Sequence, residues 1–288
     1  MQRYLPRLMI QAGPKGHAPL FCIPGSGDNI TVFSDLAEAV GSNLPIYRFQ
    51  PRGLDRDEAP FPSVESAAEC YLESLQEMRL PGPVHLLGHS FGGWVAFQMA
   101  RRLWGTRNQV AMLFLLDSEA PHTKEIEWGG SASVHVLLSL VEIYELKLGR
   151  SLGLSRPLLE AMDERSQVKD VFTKLIGAAL LPKRMSLQTF EGIVGVFKVD
   201  MASTFAPEGA YAGSCRMFAP SSSVSEAENQ QTEMRLVSWR HYLPDLLVQR
   251  VSGNHVTMLR NPHVEAIAGH LRYLPRRVER VRAGRLAP

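Results

Sequence analysis

The stretch that most limits how this chain can fold is residues 84–100, VHLLGHSFGGWVAFQMA. An apolar run of strand length enters the turn Gly88-His89-Ser90-Phe91-Gly92 and leaves as a segment of helical period. So sharp a strand-to-helix turn strains the backbone at Ser90. Glycine at 88 and 92, with Gly93 behind, removes the Cβ atoms that would collide as strand and helix approach. Ser90 is thereby raised at the carboxyl end of a strand and the mouth of a helix. An alkoxide or acyl adduct there meets the positive end of the helix dipole and the N–H of Phe91. With these flanks the turn reads as the seat of a nucleophile rather than a merely structural Gly-Ser-Gly bend.

Short β-branched or Leu-rich runs recur on both sides of this unit, separated by segments of helical period. That pattern predicts an α/β fold, a mostly parallel sheet flanked by helices. Strands are expected at 20–23, 46–50, 84–88, 112–117, 215–219 and 247–251, and helices at 31–40, 63–79, 91–104, 232–240 and 263–272. From about 121 to 207 the period is helical throughout, which predicts an all-helical lid inserted between two core strands. Residues 220–229, PSSSVSEAEN, read as a polar loop. The expected organisation is a linker at 1–18, a domain at 19–274 with the lid at about 121–207, and a basic tail at 275–288.

A serine hydroxyl needs a base, and the base needs an acid to hold its tautomer. For a nucleophile on this kind of turn, the acid and then the histidine follow in the chain. Of nine histidines, His17, His85, His89, His122 and His135 precede or closely follow Ser90 and are poorly placed. His255, in Ser252-Gly253-Asn254-His255 after the last strand, is the expected base, with His241 second; His263 and His270 fall in the final helix. Asp117 closes the strand LFLLD next after the nucleophile helix and is the expected acid, with Glu226 or Glu228 as rivals one strand later. The oxyanion donors are expected to be the backbone N–H groups of Ser26 and Phe91, with Gly27 as an alternative to Ser26. The bland reading of PGSGD is an ordinary turn, and it lacks the lysine and spacing of a phosphate loop.

Composition removes other classes. With 45% hydrophobic and 21% charged residues and no run of about 18 apolar residues, disorder and a membrane span are both excluded, and no signal-peptide pattern opens the chain. A cytoplasmic location is therefore expected. Cys22, Cys70 and Cys215 are scattered and form no CxxC pair, so they read as small buried hydrophobes and no metal site is expected. The net charge of +2 masks a tail, RRVERVRAGRLAP, with five Arg and one Glu; it reads as a frayed end, and no nucleic-acid footprint lies on the body.

LFCIPGSGDN, QPRGLD, GHSFGGWVAFQMARRL, LFLLDSEAP and GNHVTMLRNPHV together resemble the type I, or terminal, thioesterase domains of nonribosomal peptide synthetases and polyketide synthases, which have an α/β-hydrolase fold. The resemblance covers most of the chain from Pro19 to Leu274. It departs in the first loop, where Ile23-Pro24 stands in place of His-Pro, and is weakest in the lid. It implies that a thioester on the phosphopantetheine arm of a carrier protein passes to Ser90 and is then released by water or by the chain's own nucleophile, with no cofactor. It also supports Asp117 as the acid. The lid's apolar faces, around Leu137, Val141 and Ile176, are expected to line the acyl channel. Alternatives are a type II editing thioesterase, a carboxylesterase or lipase, and a catalytically dead binding scaffold; the complete Ser, Asp and His set argues against the last.

Overall fold

The computed structural model describes residues 4–28, 31–54, 58–124, 128, 130–221 and 226–274, with the side chains of 226–232 and 235 outside that description. The strands are β1 (Arg7–Gln11), β2 (Leu20–Ile23), β3 (Ile46–Phe49), β4 (Val84–His89), β5 (Val110–Leu116), β6 (Cys215–Pro220) and β7 (Leu247–Val251). They form one sheet in the order β1-β3-β2-β4-β5-β6-β7. Every pairing is parallel except that of β1 with β3. Central β4 is buried along its whole length, as an apolar strand covered on both faces should be, while edge strand β7 is half exposed.

Helices cover both faces. On one lie α2 (Val64–Gln76), α3 (Gly92–Leu103) and α8 (Glu226–Tyr242); on the other lie α1 (Ser34–Val40) and α9 (Val264–Arg272). The start of α2 follows from its sequence: Ser63 and Ser66 form a reciprocal capping box. Between β5 and β6 the chain makes α4 (Ala132–Leu148), α5 (Arg156–Glu160), α6 (Glu164–Gly177) and α7 (Leu187–Ala202), which share a hydrophobic core of their own. The stems of this insertion are joined where Phe205 N–H donates to the carbonyl of His122.

Three expectations are corrected. Residues 7–11 are not linker but an antiparallel edge strand, because their polar-apolar mixture needs only one covered face. The helix expected from 31 begins at Ser34. The loop expected at 220–229 is helical from Glu226, since a run of polar residues leaves no hydrophobic period to read. The basic tail expected at 275–288 lies outside the described residues.

Candidate active site

Ser90 and Asp117 each stand one residue beyond a buried strand, and the sheet still holds their backbones. Ser90 N–H donates to Leu116 and Asp117 N–H to Phe218, each at 2.9 Å. Both have left-handed backbones, φ 52° at Ser90 and 41° at Asp117, a conformation that non-glycine residues adopt at a cost. The elbow tolerates nothing larger than glycine at its corners. A Cβ on Gly88 would lie 2.3 Å from the carbonyl oxygen of Gly92, and one on Gly92 2.4 Å from the carbonyl oxygens of Ile23 and Pro24.

The loop after β5 is fixed by two indoles. Trp94 Nε1–H donates to the carbonyl of Glu119 and Trp239 Nε1–H to that of Ser118, both at 2.8 Å. The buried Asp117 carboxylate then meets His255, with Oδ2 2.7 Å from Nδ1. His255 borders the same chamber as Ser90. His255 itself is placed by Asn254, whose Oδ1 accepts from the N–H groups of Val256 and Thr257 at 3.0 and 2.8 Å. The Asn254 amide also donates to Leu146 of α4 at 3.1 Å, tying this loop to the lid.

Ser90, Asp117, His255, Ser26 and Phe91 all border one cavity of about 870 Å³ beneath the lid. Phe91 precedes the first turn of α3, and Ser26 lies in the loop after β2. The rival histidines are elsewhere: His241 is exposed beside Tyr242, His263 bonds Ser252, and His270 pairs with Arg216. The side chains of the rival acids Glu226 and Glu228 lie outside the described residues.

The lid residues expected to line the channel do not reach it. Leu137 and Val141, 0% and 3% exposed, and the half-buried Ile176 pack in the lid's own core. A helical period marks the buried stripe, and here that stripe meets other lid helices. The chamber is instead bordered from the lid by Glu142, Ile143, Phe197, Asp200 and Met201. Among these, burial raises the Asp200 carboxyl to about 7, opposed by a hydrogen bond from Ser26. His89, set aside as a base, has a place that the sequence does not suggest. It is 3% exposed, and its ring nitrogens lie 2.9 Å from Asp28 Oδ2 and 2.9 Å from the carbonyl oxygen of His255. No spacing rule links partners 61 and 166 positions away, so periodicity carries no signal for it.

The parallel sheet with a serine at its central elbow, followed in order by an acid and a histidine at the same edge, defines an α/β-hydrolase. A family model for the thioesterase domain matches residues 18–274, and the chain belongs to that family. Among curated relatives, atromentin synthetase of Suillus grevillei is 25% identical over 85% of this chain and 26% of its own length. Aspulvinone E synthetase of Aspergillus terreus is 25% identical over 94% of this chain and 29% of its own. The chain thus spans less than a third of either relative. Among solved structures, the Vlm2 thioesterase domain superposes with a TM-score of 0.65 at 19% identity, covering 92% of this chain and 95% of that one. The RedJ thioesterase of the prodiginine pathway in Streptomyces coelicolor gives 0.58 at 21%, covering 88% and 89%. At these identities the two superpositions speak for the fold. Among the described residues no helix is long and apolar enough to cross a membrane.

Proposed function

We propose that this thioesterase domain releases an acyl or peptidyl chain from the phosphopantetheine arm of a carrier protein or carrier domain through an acyl-Ser90 intermediate. The observation that carries the reading is the 2.7 Å contact of Asp117 with His255 at the chamber where Ser90 stands at the head of α3. In the first half-reaction His255 Nε2 takes the Ser90 proton as Oγ attacks the thioester carbonyl. Asp117 holds the Nδ1–H tautomer and offsets the imidazolium charge. The oxyanion is met by the N–H groups of Phe91 and Ser26. The C–S bond then breaks, and the thiol leaves with the proton from His255. In the second half, His255 takes a proton from water, giving an acid, or from a hydroxyl or amine of the bound chain, giving a macrocycle. Ser90 is regained. Every proton moves between these side chains and the substrate, so the reading needs no cofactor. The curated relatives are synthetases, which supports a carrier-bound substrate.

The test is to present one acyl chain as a thioester on a carrier protein, as a thioester on a short thiol and as an oxygen ester, and to follow the protein by mass spectrometry. An adduct on the Ser90 peptide, faster from the carrier, is expected. Ser90→Ala should lose about 10⁶-fold in turnover. An adduct elsewhere would overturn the mechanism, and equal rates from carrier and free ester would favour an ordinary esterase.

A further inference from the structure

His89 lies between the two loops that the proposed reaction must hold in register. Both of its ring nitrogens face acceptors, the Asp28 carboxylate at Nδ1 and the His255 carbonyl at Nε2, each at 2.9 Å. A neutral imidazole has one N–H and satisfies one such acceptor; only the doubly protonated ring satisfies two. Asp28 is itself committed to the loop after β2, because its Oδ2 also accepts from Gly25 N–H at 2.8 Å. The same residue's N–H returns a bond to the Gly25 carbonyl. The packing leaves no slack: a Cβ on Gly25 would fall 3.0 Å from Asp28 Oδ2 and 3.1 Å from His89 Nδ1. The rings of His89 and His255 are 4.7 Å apart between centroids.

We propose that His89 is a positioning residue held as an imidazolium, donating to Asp28 and to the carbonyl of His255, so that the loop of Ser26 and the loop of the catalytic base move as one body. This rests on the reading of Ser90 and His255 given above. The ring's surroundings agree with a charged state. Burial alone pulls its pKa down, but the charge of Asp28, the hydrogen bonds to Asp28 and to the His255 carbonyl, and the more distant Asp117 together raise it above the usual value. The other groups about this spot are Tyr144 and Lys147 of α4 and Arg260 beyond the base loop, which border the same small cavity. Arg260 is paired with Asp35 at 3.4 Å. When His89 loses its proton, the carboxylate retains the remaining N–H at Nδ1. The bare Nε2 then points its lone pair at the His255 carbonyl, and the base loop shifts. A displacement of the order of 1 Å costs about 10²-fold in rate.

Two measurements test this separately from the function itself. Histidine-selective ¹⁵N NMR of the resting protein needs no substrate; it should show both His89 nitrogens protonated at pH 7. One protonated nitrogen would overturn the proposal. In kinetics, kcat should fall roughly 10-fold or more on the alkaline side. Asp28→Asn, which keeps an acceptor but removes the charge, should move that limb to lower pH. His89→Asn should lower kcat at all pH values and abolish the limb, while KM for a short thioester changes little. If turnover requires Ser90 but the Asp28→Asn profile does not move, the inference fails and the mechanism stands. If Ser90→Ala retains turnover, the mechanism fails while the NMR result still decides the protonation of His89.

Discussion

Ser90 and Asp117 are fixed by the ladder of a parallel sheet, whereas α4 and α7 of the lid rest on a core built from lid residues and meet the body through loops. A Cβ on Gly27 would sit 2.8 Å from Leu140 of α4 and 3.1 Å from Phe197 of α7; one on Gly192 of α7 would sit 2.2 Å from the Leu54 carbonyl oxygen. The sheet edge is therefore over-determined, and can hold strained φ values at both Ser90 and Asp117. The lid has a core of its own and closes the chamber, touching the body's loops at Gly27 and, through Asn254, beside His255. The proposed function places the chemistry in the first region and the reading of substrate shape in the second.

The sharpest way to break that division is at Asp117. Asp117→Asn should reduce acylation by about 10⁴-fold, the loss measured for the corresponding change in another triad, because the amide favours the wrong His255 tautomer. Thermal stability should change far less, since Ser90 and Asp117 backbone bonds are untouched. Single-turnover acylation of a short thioester, with a melting curve beside it, checks both. Near-normal acylation would move the acid to another carboxylate.

Within the lid, the same division predicts opposite outcomes for neighbouring residues. Leu137→Ala, at a fully buried position in the lid core, should cost about 2–5 kcal/mol. Ile143→Ser borders the chamber and is only partly buried, so it should shift preference between short and long acyl chains with little loss of stability. Chain-length kinetics at matched folded fraction separates them. Equal losses on short and long substrates for Ile143→Ser would mean that the lid only supports the fold.

Glycines sharpen the contrast further. Gly92→Ala drives a Cβ against two backbone oxygens at the elbow and should destabilise by about 3 kcal/mol, since backbone cannot rotate aside. Gly195→Ala in α7 meets nothing within 4 Å and should stabilise by about 0.5–1 kcal/mol through helix propensity. Denaturant midpoints of the two variants test this directly.

The same difference explains what was legible in the sequence. The strand-turn-helix around Ser90, the buried strands β2 to β6 and the order of acid and base carry local signals: apolar runs, glycines at a forced bend, a histidine just past a strand. Strand β1 gives no such signal because none of its residues is wholly buried, so no apolar run marks it. The lid helices were read correctly as helices, but their apolar stripe at Leu137 and Val141 was assigned to substrate when it faces other lid helices. Periodicity reports burial and not what does the burying. His89, Asp28 and Asp200 were missed because their partners are brought together only by tertiary folding.

The one stability effect that depends on pH lies at Asp200, where α7 of the lid meets the loop of Ser26. Its carboxyl, raised by burial to about 7 against a hydrogen bond from Ser26, keeps its proton in the folded protein at pH values where the unfolded chain has released it. Well below pH 4 both states hold the proton and no penalty arises. As pH rises from there toward 7 the unfolded state is favoured progressively, and above 7 the penalty is constant. Asp200→Asn keeps an acceptor for the Ser26 hydroxyl and removes the ionisation. It should therefore be more stable than the parent at pH 8, by about 4 kcal/mol at most, with the difference shrinking toward pH 4. Melting curves of both proteins across that range give the answer. Parallel pH profiles would mean that water reaches Asp200 freely, so that the lid stands open over Ser26 and the two regions are less closely joined than the packing on Gly27 implies.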